Sequence, residues 1–115
     1  MIRAVFTGDR LGLYRASISG HSGTAPRGED LVCAGVSAMV QGALNGLDHF
    51  LPGQFGYSVD EGAVTVILSA TMQPKDRADA HRILKTLELG LQALRQEAPE
   101  AIEIHNEEVE QDDSH

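Results

Sequence analysis

At 115 residues the chain has the length of one domain, and with 42% apolar but only 4% aromatic residues its core must be built from Leu, Val, Ile and Ala. The net charge of −8, with Glu107, Glu108, Glu110, Asp112 and Asp113 in the last nine residues, argues against direct nucleic-acid binding, because nothing would release counterions from phosphates. A lone cysteine excludes an internal disulfide and no run approaches a signal h-region or a membrane span, so a reducing cytoplasm without membrane association is expected.

Taken in order, Ile2 to Phe6 reads as a strand, Gly8-Asp9-Arg10 as a turn, and Leu11 to Ser19 as a second strand. Strict alternation sets Leu13, Ser17 and Ser19 on one face of that strand and Tyr14, Ala16 and Ile18 on the other. Gly20 then permits a sharp exit from the sheet into His21. The stretch from His21 to Glu29 contains Gly23, Pro26 and Gly28, too many turn-formers for a regular element.

From about Asp30 to Leu51 the pattern predicts a helix, with Glu29 or Asp30 as its cap and Pro52-Gly53 as its stop. Val32, Val36, Val40 and Leu44 recur every four residues, flanked by Met39, Ala43 and Leu47, while Gln41, Asn45, Asp48 and His49 fall on the wetter side. Gly35, Gly42 and Gly46 imply close packing against the sheet or another subunit.

A hairpin follows, Phe55 to Val59 and Ala63 to Ala70 around Asp60-Glu61-Gly62. Val64, Val66 and Leu68 face one side, Thr65, Ile67 and Ser69 the other. Pro74 opens a second helix to about Ala98, with Ala80, Ile83, Leu84, Leu87, Leu91 and Leu94 as its apolar face. Asp76, Arg77, Asp79 and Arg82 read as a solvated face. Ala101 to His105 is a last strand, and residues 106–115 form an acidic tail expected to be disordered. The order ββαββαβ describes an α+β single domain, with two helices on a mostly antiparallel sheet. An open sheet edge on so small a core makes a homodimer an expected state.

The chemistry concentrates in His21 and Cys33. A thiol in the first turn of a helix is stabilised as thiolate by unpaired N–H groups and the helix dipole, and a histidine within reach can take and return a proton. A lone cysteine amid apolar residues is also a common core residue, so the spacing alone leaves catalysis and burial both open. His49, His81, His105 and His115 show no metal-ligand spacing, and no phosphate-binding or dinucleotide motif appears, so no metal or cofactor is expected.

Gly20-His21-Ser22, Gly28-Glu29-Asp30-Leu31-Val32-Cys33-Ala34 and Val36-Ser37-Ala38 resemble the motifs of the ribosomal-processing cysteine protease family Prp, a G-H pair followed by G-x-D-I/L-V-C-A-x-x-S-A. The resemblance extends over residues 1–105. It implies a cysteine endopeptidase that removes an N-terminal extension from a large-subunit ribosomal protein, acting as a homodimer. It assigns Cys33 as nucleophile and His21 as general base and acid. It also implies a substrate-binding loop, including Ser22, Gly23 and Gly28, that orders around the peptide. Asp30 either orients His21 or caps the helix; Ser37, one turn beyond Cys33, either supports the site or only packs. Thr24-Ala25-Pro26-Arg27 makes this loop stiffer and more basic than the family pattern. The alternative is a non-catalytic ribosome-assembly or interaction module with a buried structural cysteine.

Overall fold

A computed structural model describes residues 1–20 and 27–109, with the side chains of 27–30 outside the described set. Strands β1 (Ile2–Asp9) and β2 (Gly12–Gly20) lead to helix α1 (Arg27–Phe50). The hairpin β3 (Phe55–Asp60) and β4 (Ala63–Leu68) then leads to helix α2 (Pro74–Glu97) and strand β5 (Ile102–Glu108). The sheet order is β3-β4-β2-β1-β5, antiparallel throughout except for the parallel β1–β5 pair. The expected ββαββαβ arrangement is the one observed.

Both helices lie on one face of this sheet. Ile2, Ala4, Phe6, Ala16, Ile18, Val66, Leu68 and Ile102 point inward and form one core with Val36, Val40 and Leu47 of α1 and Ala80, Leu84, Leu87 and Leu91 of α2. Each buried Val, Leu, Ile or Phe among them contributes roughly 1.5–3 kcal/mol by leaving water, and each Ala less. The other face carries Arg3, Ser17, Thr65, Ile67, Glu103 and His105, where Ser17 and Thr65 share a hydrogen bond across the β2–β4 pair.

A β-bulge alters the expected phase of β2. Thr7 pairs with Arg15 but Gly8 pairs with Leu13, so Tyr14 is the extra residue. The insertion turns Leu13 into the core beside Ala16 and Ile18, instead of onto the face of Ser17 and Ser19 as strict alternation requires. The turn between these strands lies at Arg10-Leu11, where the Leu11 amide donates to Asp9 Oδ1 at 2.9 Å. The β3–β4 turn is the tight two-residue kind, with Glu61 and Gly62 at φ of +40° and +82°.

The first turn of α2 is not wholly solvated. Arg77 is buried, donating through Nη2 to Asp9 Oδ1 at 2.6 Å and to the Gly12 carbonyl at 3.0 Å, which fastens α2 to the β1–β2 turn. His81 accepts the Leu13 amide at Nδ1, 2.9 Å away, on the next turn of the same helix. Further along, buried Glu88 accepts from Lys85 Nζ, Gln92 Nε2 and Asn106 Nδ2 at 3.0, 3.1 and 2.7 Å. Its two carboxyl oxygens are therefore both hydrogen-bonded, and it ties α2 to β5.

That last strand runs three residues past its expected end. Asn106, Glu107 and Glu108, assigned to the acidic tail by composition, pair with Phe6, Thr7 and Gly8. Val109 continues the contact by donating to the Gly8 carbonyl at 2.8 Å. Residues 110–115 lie outside the described set.

The helix glycines pack less closely than expected. A Cβ at Gly35 would just touch Leu94 at 3.4 Å and one at Gly42 would meet nothing, whereas Gly90 of α2 is the close approach, with Met39 Sδ at 3.1 Å from such an atom.

Candidate active site

Helix α1 starts at Arg27, three residues before the expected Asp30, and this changes the setting of Cys33. Counted from Arg27, Cys33 is the seventh helical residue, in the second turn. The unpaired N–H groups of the helix start belong to residues before it, so the expected thiolate stabilisation by free amides in its own turn does not apply. Glu29 and Asp30 lie inside the first turn and neither is the cap.

Cys33, Ser37 and Gln41 follow one another at four-residue spacing and line one wall of a cleft of about 470 Å³. Val36, Val40 and Leu44 form the apolar row beneath them. The facing wall comes from the sheet: Ile2, Ile18 and Val64 on the inward face, then Tyr57 and Val59 of β3, with Gly20 and Gly62 at the strand ends. Cys33 is half-buried in this wall, and Ser37 is exposed rather than packed in the core.

Gly20 connects the cleft to the sequence motif. It closes β2 at φ of +91°, and a Cβ there would run into the Met1 carbonyl oxygen. Its amide donates to the Gly62 carbonyl at 3.3 Å, which pins the strand end against the β3–β4 turn. The next residue in the chain is His21. His21, Ser22 and Gly23 lie outside the described residues, as do the side chains at Gly28 and Asp30, although Gly28 and Asp30 belong to α1.

A largely apolar cleft with one thiol on its wall suits a peptide whose side chains dock while its backbone meets the sulfur. The family model described as Cysteine protease Prp matches residues 1–103. The chain belongs to this family. It is a cysteine protease. No curated protein matches the chain significantly. Among solved structures, SMU.848 from Streptococcus mutans is similar at a TM-score of 0.79 and 24% identity, over 95% of this chain and 96% of that one. The ribosomal processing protease Prp from Staphylococcus aureus, in complex with a covalently linked product peptide, is similar at 0.79 and 24%, over 93% and 100%. The same protease in complex with a substrate peptide is similar at 0.79 and 23%, again over 93% and 100%. At these identities the likeness is one of fold.

Among the described residues no group of His, Cys, Asp and Glu is arranged to hold a metal ion, and no helix is long and apolar enough to cross a membrane. Sequence reading of this Prp-family chain missed the cleft wall made by Tyr57 and Val59. Their alternation in Phe55–Val59 was legible, but it signals only which face they share.

Proposed function

We propose that this Prp-family protease removes an N-terminal extension from a bacterial large-subunit ribosomal protein, with Cys33 as nucleophile and His21 as its proton carrier. The observation that supports the reading is that Cys33 lines the same cleft as Gly20, the residue that precedes His21 in the chain. The S. aureus relative is a ribosomal processing protease, which supports the substrate class.

In this mechanism the Cys33 thiolate attacks the scissile carbonyl, and the tetrahedral species collapses to a thioester as the C–N bond breaks. His21, as imidazolium, gives its proton to the departing amine. Neutral His21 then takes a proton from water as that water attacks the thioester, and returns it to the thiolate as the acid is released. Ser37 stands one helical turn from Cys33 on the same wall, which supports a role in hydrogen-bonding the peptide. Asp30, three residues before Cys33 in α1, orients His21. Ser22 and Gly23 belong to the substrate-binding loop that orders around the peptide, whereas Gly28, expected in that loop, is part of α1.

The protease acts in the cytoplasm, where its thiol stays reduced. It works as a homodimer. In support, Met39, Ala43, Ile83, Leu87 and Gly90 line a mainly apolar groove of about 490 Å³ between the two helices. Sedimentation of the pure protein reads this directly.

The test of function is to incubate the protein, Cys33→Ala and His21→Ala with the host's extended ribosomal protein and follow mass. Loss of the N-terminal segment with the parent alone is the expected result. Equal cleavage by Cys33→Ala removes the mechanism; an unchanged rate in His21→Ala removes the dyad.

A further inference from the structure

Strand β3 uses only one of its two hydrogen-bonding sides. It stands at the end of the sheet order and, among the described strands, pairs with β4 alone. The Ser69 amide donates to the Gln54 carbonyl at 2.8 Å, one step beyond the Phe55–Leu68 pair. Antiparallel ladders alternate bonded and non-bonded pairs, so Gly56–Ile67, Ser58–Thr65 and Asp60–Ala63 are the bonded ones. The amides and carbonyls of Phe55, Tyr57 and Val59 therefore point to the open edge.

The two edges of the sheet are finished differently. Strand β5 carries Glu103, His105, Glu107 and Glu108, charges of the kind that keep an edge from pairing. Strand β3 reads Phe-Gly-Tyr-Ser-Val before Asp60, with no charge, proline or lysine to block a partner. Tyr57 and Val59 oppose Val66 and Val64, so their side chains stand on the helix-side face. There they remain 59% and 67% exposed, and they line the cleft that Cys33 shares.

We infer that the peptide substrate binds as an added strand on β3, with alternate side chains entering the cleft against Tyr57 and Val59. The inference rests on the proposed peptidase function. Continuity of this edge with the Cys33 cleft selects a substrate over a second copy of the chain, whose strand here would cover the nucleophile. Phe55 to Val59 spans about 13 Å of strand, which engages roughly five residues of extended peptide. Each of the three outward residues offers one donor and one acceptor. Backbone pairing supplies affinity, while the alternate side chains supply selectivity.

The test uses the parent protein and peptides copying the cleaved extension, each N-methylated at one amide. Methylation at every second position raises KM by about tenfold or more, and the intervening positions change it less than twofold. A Val59→Pro variant loses an outward amide without losing a β4 ladder bond, so its KM rises with little change in kcat. Should that variant misfold, the methylated series decides alone. A methylation profile without the two-residue period overturns the added strand while leaving the protease reading intact. A parent dimer that Val59→Pro converts to monomer assigns the edge to a second copy and overturns it too. Failure of the parent to cleave any extension overturns the proposed function and this inference together.

Discussion

Gly20 and Cys33, thirteen positions apart, line one cleft, and Gly20 is held there in a backbone conformation that excludes a side chain. The strand end is bonded to the Gly62 carbonyl at 3.3 Å, and the Met1 carbonyl occupies the space that a Cβ at Gly20 would need. Substituting Gly20→Ala forces either a different φ or a shift of the β1 start, and both move the strand end that precedes His21 in the chain. A misplacement of about 1 Å costs on the order of a hundredfold in rate. We expect kcat/KM for the ribosomal substrate to fall by that order with the far-ultraviolet spectrum unchanged; parent-like kinetics would show that this glycine does not position the site.

Cys33 is half-buried, and replacing it by alanine removes a single sulfur from the cleft wall. Stability of Cys33→Ala should stay within about 1 kcal/mol of the parent, as for a small substitution that leaves no large cavity. Cleavage should fall by roughly a thousandfold or more, the loss seen when a nucleophile is removed. In the parent, with His21 as its proton carrier, iodoacetamide should modify Cys33 at neutral pH faster than it modifies free cysteine. A thiol inert until unfolding would argue for a structural role.

Arg77 and Asp9 form an ion pair at 2.6 Å with side-chain exposures of 11% and 6%. Removing one partner strands the other charge. Arg77→Met should therefore destabilise the fold by about 3–5 kcal/mol in urea unfolding. Adding Asp9→Leu to that variant should recover much of the loss, because the stranded carboxylate is then gone. A single variant within about 1 kcal/mol of the parent would contradict this.

The same pair carries a pH signature. Burial pushes the Asp9 carboxyl up, but the Arg77 hydrogen bond, the Leu11 amide and the Arg77 charge together outweigh it and hold it below the ordinary aspartate value. A carboxylate depressed on folding contributes stability that is fully present above its unfolded pKa of about 4 and is lost as pH falls through the lower folded value. The stability difference between the parent and Asp9→Asn should be flat from about pH 5 upward and shrink below about pH 4. A difference that instead grew towards acid pH would show that the pair does not control this titration.

Legibility followed the range of the forces involved. The two helices, the hairpins and the two faces of β4 are readable because hydrophobic periodicity is local, as Val36 with Val40 and Val66 with Leu68 illustrate. Leu13 was misplaced because a bulge is one extra residue opposite a partner strand, and Tyr14 carries no mark of it. Composition assigns Asn106 to Glu108 to a tail because it weighs charge, whereas the ladder with Phe6 to Gly8 depends on a neighbour about a hundred residues away. The start of α1 lies three residues before its expected position, since Pro26 and Gly28 read as turn-formers and Arg27 to Glu29 have no apolar residue to announce a helix.

By itself the sequence determined the element order, the apolar faces, and the His21 and Cys33 motifs, because each depends on residues near one another along the chain. Only the tertiary structure decided that Gly20 and Cys33 share a cleft, that Tyr57 and Val59 complete it, and that Arg77 turns inward to Asp9. Those are relations across strands and layers, set by which edge the sheet leaves open and by how far the helices cover it. No local pattern of side chains encodes either.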